Sequence, residues 1–262
     1  MTASAQKEPK ARPPKPRLLP GLAIRDGLVR HPFDLENGVR TSGLVAGRHL
    51  ASGHRHDRHS TAYYAVAPSV FRSILIRWRR CRPVAAIDEC TFIDVGAGMG
   101  RALLLAAEYP FRAVIGVELH PTLARIARRN LTHWHAAGRA LAPVKILCRD
   151  AAEFQLPSGP CVAFLFNPFG APVLRRTLTH WSRTLAGRQG QLDILYVNNE
   201  QEHVLERQRG FTRLFAGQIR RSHADSLADR KILFSQPNAE YAAMNWEDCS
   251  IHRWVGTAAV RP

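Results

Sequence analysis

From residue 91 onward, short apolar runs alternate with longer amphipathic stretches. The runs are "TFIDVG" (91–96), "AVIGVELH" (113–120), "VKILCRDA" (144–151), "CVAFLFNPFG" (161–170) and "LDILYVNNE" (192–200). Each is short, rich in β-branched or aromatic residues and apolar with little alternation. That is the pattern of a strand buried on both faces. Between them, "RALLLAAEY" (101–109), "PTLARIARRNLTHWHAAG" (121–138) and "VLRRTLTHWSRTLAG" (173–187) repeat their apolar residues at helical spacing. Pro121 stands where a helix tolerates proline, and Gly187 where one ends. A short helix is expected over "QEHVLERQRG" (201–210), and "FTRLFAGQI" with "KILFSQP" (231–237) is expected to form a last strand pair. Strand–helix alternation with fully apolar strands predicts an α/β fold: a doubly wound, mostly parallel sheet covered on both faces.

Before residue 91 the pattern differs. Residues 68–80, "PSVFRSILIRWRR", place Val70, Phe71, Ile74, Leu75 and Trp78 on one helical face and arginines on the other. Residues 21–62 hold scattered Gly and His with little helix signal, and residues 1–20 are rich in Pro, Lys and Arg without periodicity. The expected organisation is a disordered basic tail (1–20), an N-terminal extension or lid (21–68), the sheet domain (69–240) and a C-terminal tail (241–262).

Composition refines this picture modestly. The net charge is +16, which fits a nucleic acid or another acidic macromolecular partner. Only 5 of the 37 basic residues are lysines, so the same charge also fits a general arginine bias. No apolar run is long enough for a membrane span, and no membrane partner is expected. The N-terminus lacks a signal-peptide core. Five cysteines without a CxxC pair argue against a disulfide framework and for a cytoplasmic protein. Cys148 and Cys161 are expected in or beside buried strands.

The candidate chemistry begins at "FIDVGAGMGR" (92–101). Gly96, Gly98 and Gly100 fall where the first strand gives way to a helix, the place where such sheets bind ligands. No GxxxxGK[ST] phosphate loop exists in the chain. The dinucleotide fingerprint GxGxxG places its third glycine where this sequence has Arg101, which argues against NAD or FAD. The GxGxG spacing resembles the loop of class I, Rossmann-like, S-adenosylmethionine (SAM)-dependent methyltransferases. The resemblance covers residues 91–170 most strongly, and it implies an enzyme with SAM as its cofactor. It further implies that Glu118, ending the second strand, accepts from the ribose hydroxyls. Asp150, ending the third, would accept from the adenine amino group with the Ala151 backbone beside the ring. Asp94 would lie near the amino-acid portion. Taken singly, Glu118 and Asp150 also read as solvated strand ends and Asp94 as a helix cap.

"FNPFG" (166–170) ends the fourth strand. It resembles the Asn-Pro-Pro-aromatic signature of amine and amide N-methyltransferases, with one proline fewer. The resemblance implies that Asn167 holds the target nitrogen and that Phe169 packs over it. The Asn–aromatic pairing is also similar to that of non-SET lysine methyltransferases, in which case "YYAVAP" (63–68) supplies Tyr64 over the SAM carboxylate. A protein lysine is the first expected acceptor, and a small amine or a nucleobase the second. The contrasting reading is a basic nucleic-acid-binding protein that keeps the fold without turnover. "HRHDRH" (54–59) reads as a basic solvated loop rather than a metal site, so no metal is expected. Trp134, Trp181, Trp246 and Trp254 read as packing residues, and "NNE" (198–200) as a loop cap or part of the pocket mouth.

Overall fold

A computed structural model describes residues 29–235 and 244–256, and the backbone of 18–19 and 22–25. The expected disordered tail lies, but for its last residues, outside the described residues. Leu18–Leu19 and Leu22–Arg25 pair as a short antiparallel ribbon.

The core is a seven-stranded sheet. Its strands are β1 (Thr91–Val95), β2 (Ala113–Glu118), β3 (Val144–Cys148), β4 (Cys161–Phe166), β5 (Leu192–Val197), β6 (Phe211–Arg220) and β7 (Trp246–Trp254). The spatial order is β3-β2-β1-β4-β5-β7-β6. The first five strands are mutually parallel, and β7 is antiparallel to both β5 and β6. The chain starts in the middle, winds outward to β3, then crosses back to β4. That reversal opens a crevice at the C-terminal ends of β1 and β4.

Successive residues of a strand point to opposite faces, and here both faces are buried. Phe92, Val114, Phe164 and Leu195 enter one core. Ile93, Val95, Ile115, Leu165 and Tyr196 enter the other. The first core is closed by α2 (Pro68–Arg80), α3 (Arg101–Ala107) and α4 (Pro121–Ala136). The second is closed by α5 (Ala171–Thr184) and α6 (Glu202–Arg207). The face of α2 read from the sequence is the one buried: Val70, Phe71, Ile74, Leu75 and Trp78 are all at most 2% exposed. Phe71 packs edge-on against Phe92 and Phe164, with ring centres 5.8 and 5.4 Å apart. Trp78 Nε1 donates to Asp193 Oδ2 at 2.8 Å, and Arg253 of β7 donates to both oxygens of the same carboxylate. One buried aspartate thus ties α2, β5 and β7 together.

Four expectations need correction. In "KILFSQP" (231–237), Lys231–Phe234 end α7 (His223–Phe234) instead of forming a strand, and residues 236–237 lie outside the described residues. Ser222 caps that helix by accepting from the Asp225 N–H, and Ala228, Ile232 and Leu233 bury a helical face. The partner of β6 is instead β7, so Trp246–Trp254 belong to the sheet rather than to a tail. The segment before α2 contains a short helix, α1 (Pro32–Asn37), started by Pro32 and ended by Gly38. Cys148 is exposed whereas Cys161 is buried, because β3 is the sheet edge. Of the four tryptophans read as packing residues, Trp134, Trp181 and Trp254 are in the core, and Trp246 is half-buried.

Candidate active site

The crevice over β1, β2, β3 and β4 is a cavity lined by Asp94, Gly96, Gly98, Arg101, Glu118, Asp150, Ala151 and Phe169, with residues 60–66 as a roof. Strand geometry explains the convergence. β1, β2 and β3 run parallel in register, so Val95, Val117 and their neighbours end level with one another. The amides of Gly96 and Ala97 both donate to the Val117 carbonyl, at 2.9 and 3.0 Å, which turns the loop back across β2. Gly96 and Gly98 have φ of 76° and 55°, values that favour glycine. They are also approached closely. A Cβ at Gly98 would stand 2.2 Å from the Tyr63 ring, and one at Gly96 2.4 Å from Pro168. The loop is bare because the roof and the β4 loop both press on it.

Besides Asp57, whose oxygens accept from Ser52 and from the His54 amide, three carboxylates line this cavity. Glu118 is 7% exposed. Its two oxygens accept from the Gly98 and His120 amides, each at 2.7 Å, leaving further lone pairs. Burial raises its pKa against these hydrogen bonds. Asp94 is 3% exposed and its Oδ2 has no hydrogen-bond partner. Burial, with the Glu118 charge adding to it, pushes the Asp94 carboxyl up to about 8. Asp150 caps the turn after β3 by accepting from the Ala152 amide at 2.9 Å.

The other oxygen of Asp150 corrects the reading of "HRHDRH" as a solvated loop. His56 is 9% exposed, and its Nδ1 lies 2.8 Å from Asp150 Oδ2, off the line of a good hydrogen bond. His54 Nε2 lies 3.9 Å from the same oxygen. These atoms are close enough to suggest a metal site, but the proton positions oppose one. The Arg176 guanidinium can only donate, and it contacts His56 Nε2 at 3.2 Å, so the proton sits on Nδ1. The His56 amide donates to His54 Nδ1 at 3.2 Å, leaving the His54 proton on Nε2. Both rings therefore present N–H groups to the carboxylate and form a clamp. Burial holds the His56 pKa below its ordinary value despite Asp150.

The clamp belongs to a lid. Val45 bridges Tyr63, and Ser60 bridges Phe169. The Gly170 amide donates to the His59 carbonyl at 2.9 Å, and the Thr61 hydroxyl donates to the Asn167 carbonyl. Tyr63, not Tyr64, covers the glycine loop, and its hydroxyl donates to the Thr41 carbonyl at 2.6 Å. Tyr64 also lines the cavity, further along, and burial raises its pKa.

Pro168 and Phe169 line the cavity as well. Asn167, at φ 41°, is 6% exposed, and its Oδ1 sits 3.4 Å from the Tyr196 hydroxyl, behind the cavity wall rather than on it. Asn198–Glu200 do not line it.

Arg101 is the residue that sequence reasoning left without a role. It is 3% exposed and lines the cavity. Its Nε donates to Thr41 Oγ1 at 2.7 Å and its Nη2 to Ser42 Oγ at 3.2 Å. Asp34 Oδ1 lies 3.6 Å away. Asp34 in turn accepts from the Thr41 and Ser42 amides at 2.6 and 2.7 Å. The arginine that breaks the dinucleotide fingerprint thus anchors the N-terminal extension to the glycine loop.

The strand order and the glycine loop at the first strand's end define a Rossmann-like α/β protein whose ligand crevice carries acidic groups. No family model and no curated protein matches the chain. Solved structures resemble part of the chain at low identity and at TM-scores below 0.5. A candidate RNA methyltransferase from Pyrococcus horikoshii has 16% identity and a TM-score of 0.47, over 71% of this chain and 83% of that one. Magnesium protoporphyrin IX methyltransferase from Synechocystis PCC 6803, with bound SAM, has 8% identity and a TM-score of 0.43, over 71% and 77%. A ribosomal protein L11 methylase from Lactobacillus delbrueckii subsp. bulgaricus has 14% identity and a TM-score of 0.40, over 71% and 77%. At these values the likeness carries no conclusion about this chain, and what these proteins act on does not carry over.

Proposed function

We propose that this protein is an enzyme that binds SAM in the crevice and transfers its methyl group to an amine nitrogen. One observation carries the reading: Gly96, Ala97 and Gly98 of the glycine loop, Glu118 and Asp150, from the ends of three adjacent strands, line one lidded cavity, while Gly100 lies outside its lining. The residues fit the cofactor. Glu118 retains lone pairs for a ribose diol, and Asp150 ends the neighbouring strand for an adenine amino group. The unpartnered Oδ2 of Asp94 is a buried acceptor suited to an ammonium. The Ala151 backbone lies beside the ring, and Tyr64, which also lines the cavity, closes over the SAM carboxylate.

SAM supplies a methyl group on a sulfonium, ready for in-line displacement. The chain's own residues position the reactants and exclude water. Phe169 offers an aromatic face to positive charge. An amine acceptor must arrive neutral, and its proton can leave to water. Asn167 takes part if its Oδ1 turns from the Tyr196 hydroxyl, 3.4 Å away, into the cavity to accept from the target N–H. A protein lysine, a small amine and a nucleobase all offer such a nitrogen.

Titration calorimetry tests the core of this reading. SAM and S-adenosylhomocysteine should bind with comparable, micromolar affinity, and NAD should not compete. Displacement of SAM by NAD, or binding of neither SAM nor its demethylated product, overturns it. Transfer of a labelled methyl group to nitrogen-containing acceptors then tests turnover.

A further inference from the structure

The outer face of α5 lies beside the cavity mouth. It presents Arg175, Arg176 and Arg183, all exposed, with half-buried His180 between them. With Ala152, Pro172 and Thr179 they line a shallow groove. Arg176 reaches His56 of the lid, so the groove begins at the Asp150 side of the cavity. Some surface arginines elsewhere have carboxylate partners (Arg55 with Glu153, Arg72 and Arg139 with Glu108, Arg213 with Glu206), and others, among them Arg79, Arg80, Arg125 and Arg129, have none among the described residues. Among the described residues, Arg175 and Arg183 have none. His180 Nε2 is buried without a hydrogen-bond partner. Like charges along one helix face repel, and a polyanion relieves that repulsion.

We propose that this face is the track for the sugar–phosphate backbone of a single-stranded nucleic acid, which delivers a base to the cavity as the methyl acceptor. The delivery step rests on the function proposed above; the track does not. Arg175 and Arg183 are separated by eight residues, about 12 Å along a helix axis, so one strand can contact both in succession. Guanidinium groups suit phosphate oxygens geometrically. The cavity walls include Tyr63, Phe164, Phe166 and Phe169, and flat aromatic walls suit a base removed from its stack. A protein partner is disfavoured by what the groove lacks: apart from Ala152 and Pro172 it offers no apolar anchor. The chain's net charge of +16 acts in the same direction.

The test uses the full chain and a labelled single-stranded RNA of about 15 nucleotides, with DNA of the same sequence as a second arm, across a salt series. Arg175→Ala with Arg183→Ala removes two exposed side chains, and melting curves should not move. Two lost phosphate contacts should flatten the log–log salt dependence by about 1.4 and weaken binding roughly tenfold at moderate salt. Arg79→Ala with Arg80→Ala, on the exposed face of α2, should leave the slope unchanged. Affinity for S-adenosylhomocysteine should be the same in both doubles. Equal losses in the two doubles would mean a diffuse charge effect and would overturn the track. Tighter binding of polyglutamate than of either strand would overturn it in favour of an acidic protein. A slope loss specific to α5 in a protein that binds no S-adenosylhomocysteine would keep the track and remove the methyltransferase reading.

Discussion

At the scale of single residues, Asp94 and Glu118 are carboxyls that the fold holds out of water, and their protonation links stability to ligand binding. Burial raises the Asp94 pKa from about 3.8 unfolded to about 8 folded. Between those values the folded state holds the extra proton, so this residue's contribution to stability falls as pH rises and levels off above about 8. Asp94→Asn removes that dependence. The variant should melt close to the parent at pH 5 and several degrees above it at pH 8, as scanning calorimetry would show. A cationic ammonium beside Asp94 pulls its pKa back down, so SAM binding at pH 7 should release protons. Calorimetry in buffers of different ionisation enthalpy measures that release, and Asp94→Asn should reduce it. Glu118→Ala should weaken SAM binding by about 1–3 kcal/mol through loss of two charge-assisted hydrogen bonds. Unchanged affinity would place the ribose elsewhere. For Asn167→Ala, turnover should fall far more than SAM affinity, roughly 10²-fold for one positioning group. Near-normal turnover would reduce "NPF" to a turn.

At the scale of elements, the lid shows what sequence periodicity cannot convey. The β1–β5 strands and the helices between them were legible because their apolar spacing matches their geometry, as in Val70, Phe71, Ile74, Leu75 and Trp78 of α2. The positions of Glu118 and Asp150 at strand ends were legible for the same reason. The lid was not: residues 45–63 have no periodicity and take their shape from contacts over 100 residues away, such as Thr61 with Asn167. His56 reads as solvated until Asp150, on another element, is seen to face it. In the proposed function this contact occupies the adenine end of the crevice, so entry of the cofactor requires His56 to withdraw. His56→Ala should therefore speed association of S-adenosylhomocysteine several-fold in stopped-flow measurements, and an unchanged rate would show that the clamp is not the barrier. The His56 pKa is held below 6.5, first by burial and then by the charges of Arg55 and His54 against Asp150. Its contribution is then complete above about pH 6.5 and is lost as pH falls below that value. Amide exchange over residues 54–59, corrected for intrinsic rates, should accelerate between pH 7 and pH 5.5.

At the scale of the whole molecule, the boundaries read from the sequence pattern at residues 69 and 240 cut through the folded unit. β7 lies beyond the second boundary, yet it pairs with β5 and β6 and is the only link between them in the sheet. Its residues Cys249, Ile251 and Trp254 are at most 2% exposed. Arg253 neutralises Asp193, a 3%-exposed carboxylate that also accepts from Trp78. Removing β7 strands that charge in the core and bares two long strand edges, each open to pairing with another chain. At the other boundary, Thr41 and Ser42 hold the Arg101 guanidinium beside buried Asp34. Without residues 29–68, Arg101 loses all four of its recorded polar partners next to the glycine loop. A fragment of residues 69–240 should therefore aggregate, or show no cooperative thermal transition by circular dichroism. A fragment of residues 29–256 should melt cooperatively, within a few degrees of the full chain. A native-like melt from 69–240 would show that the sheet closes without β7 and that the extension is an accessory to the fold rather than part of it.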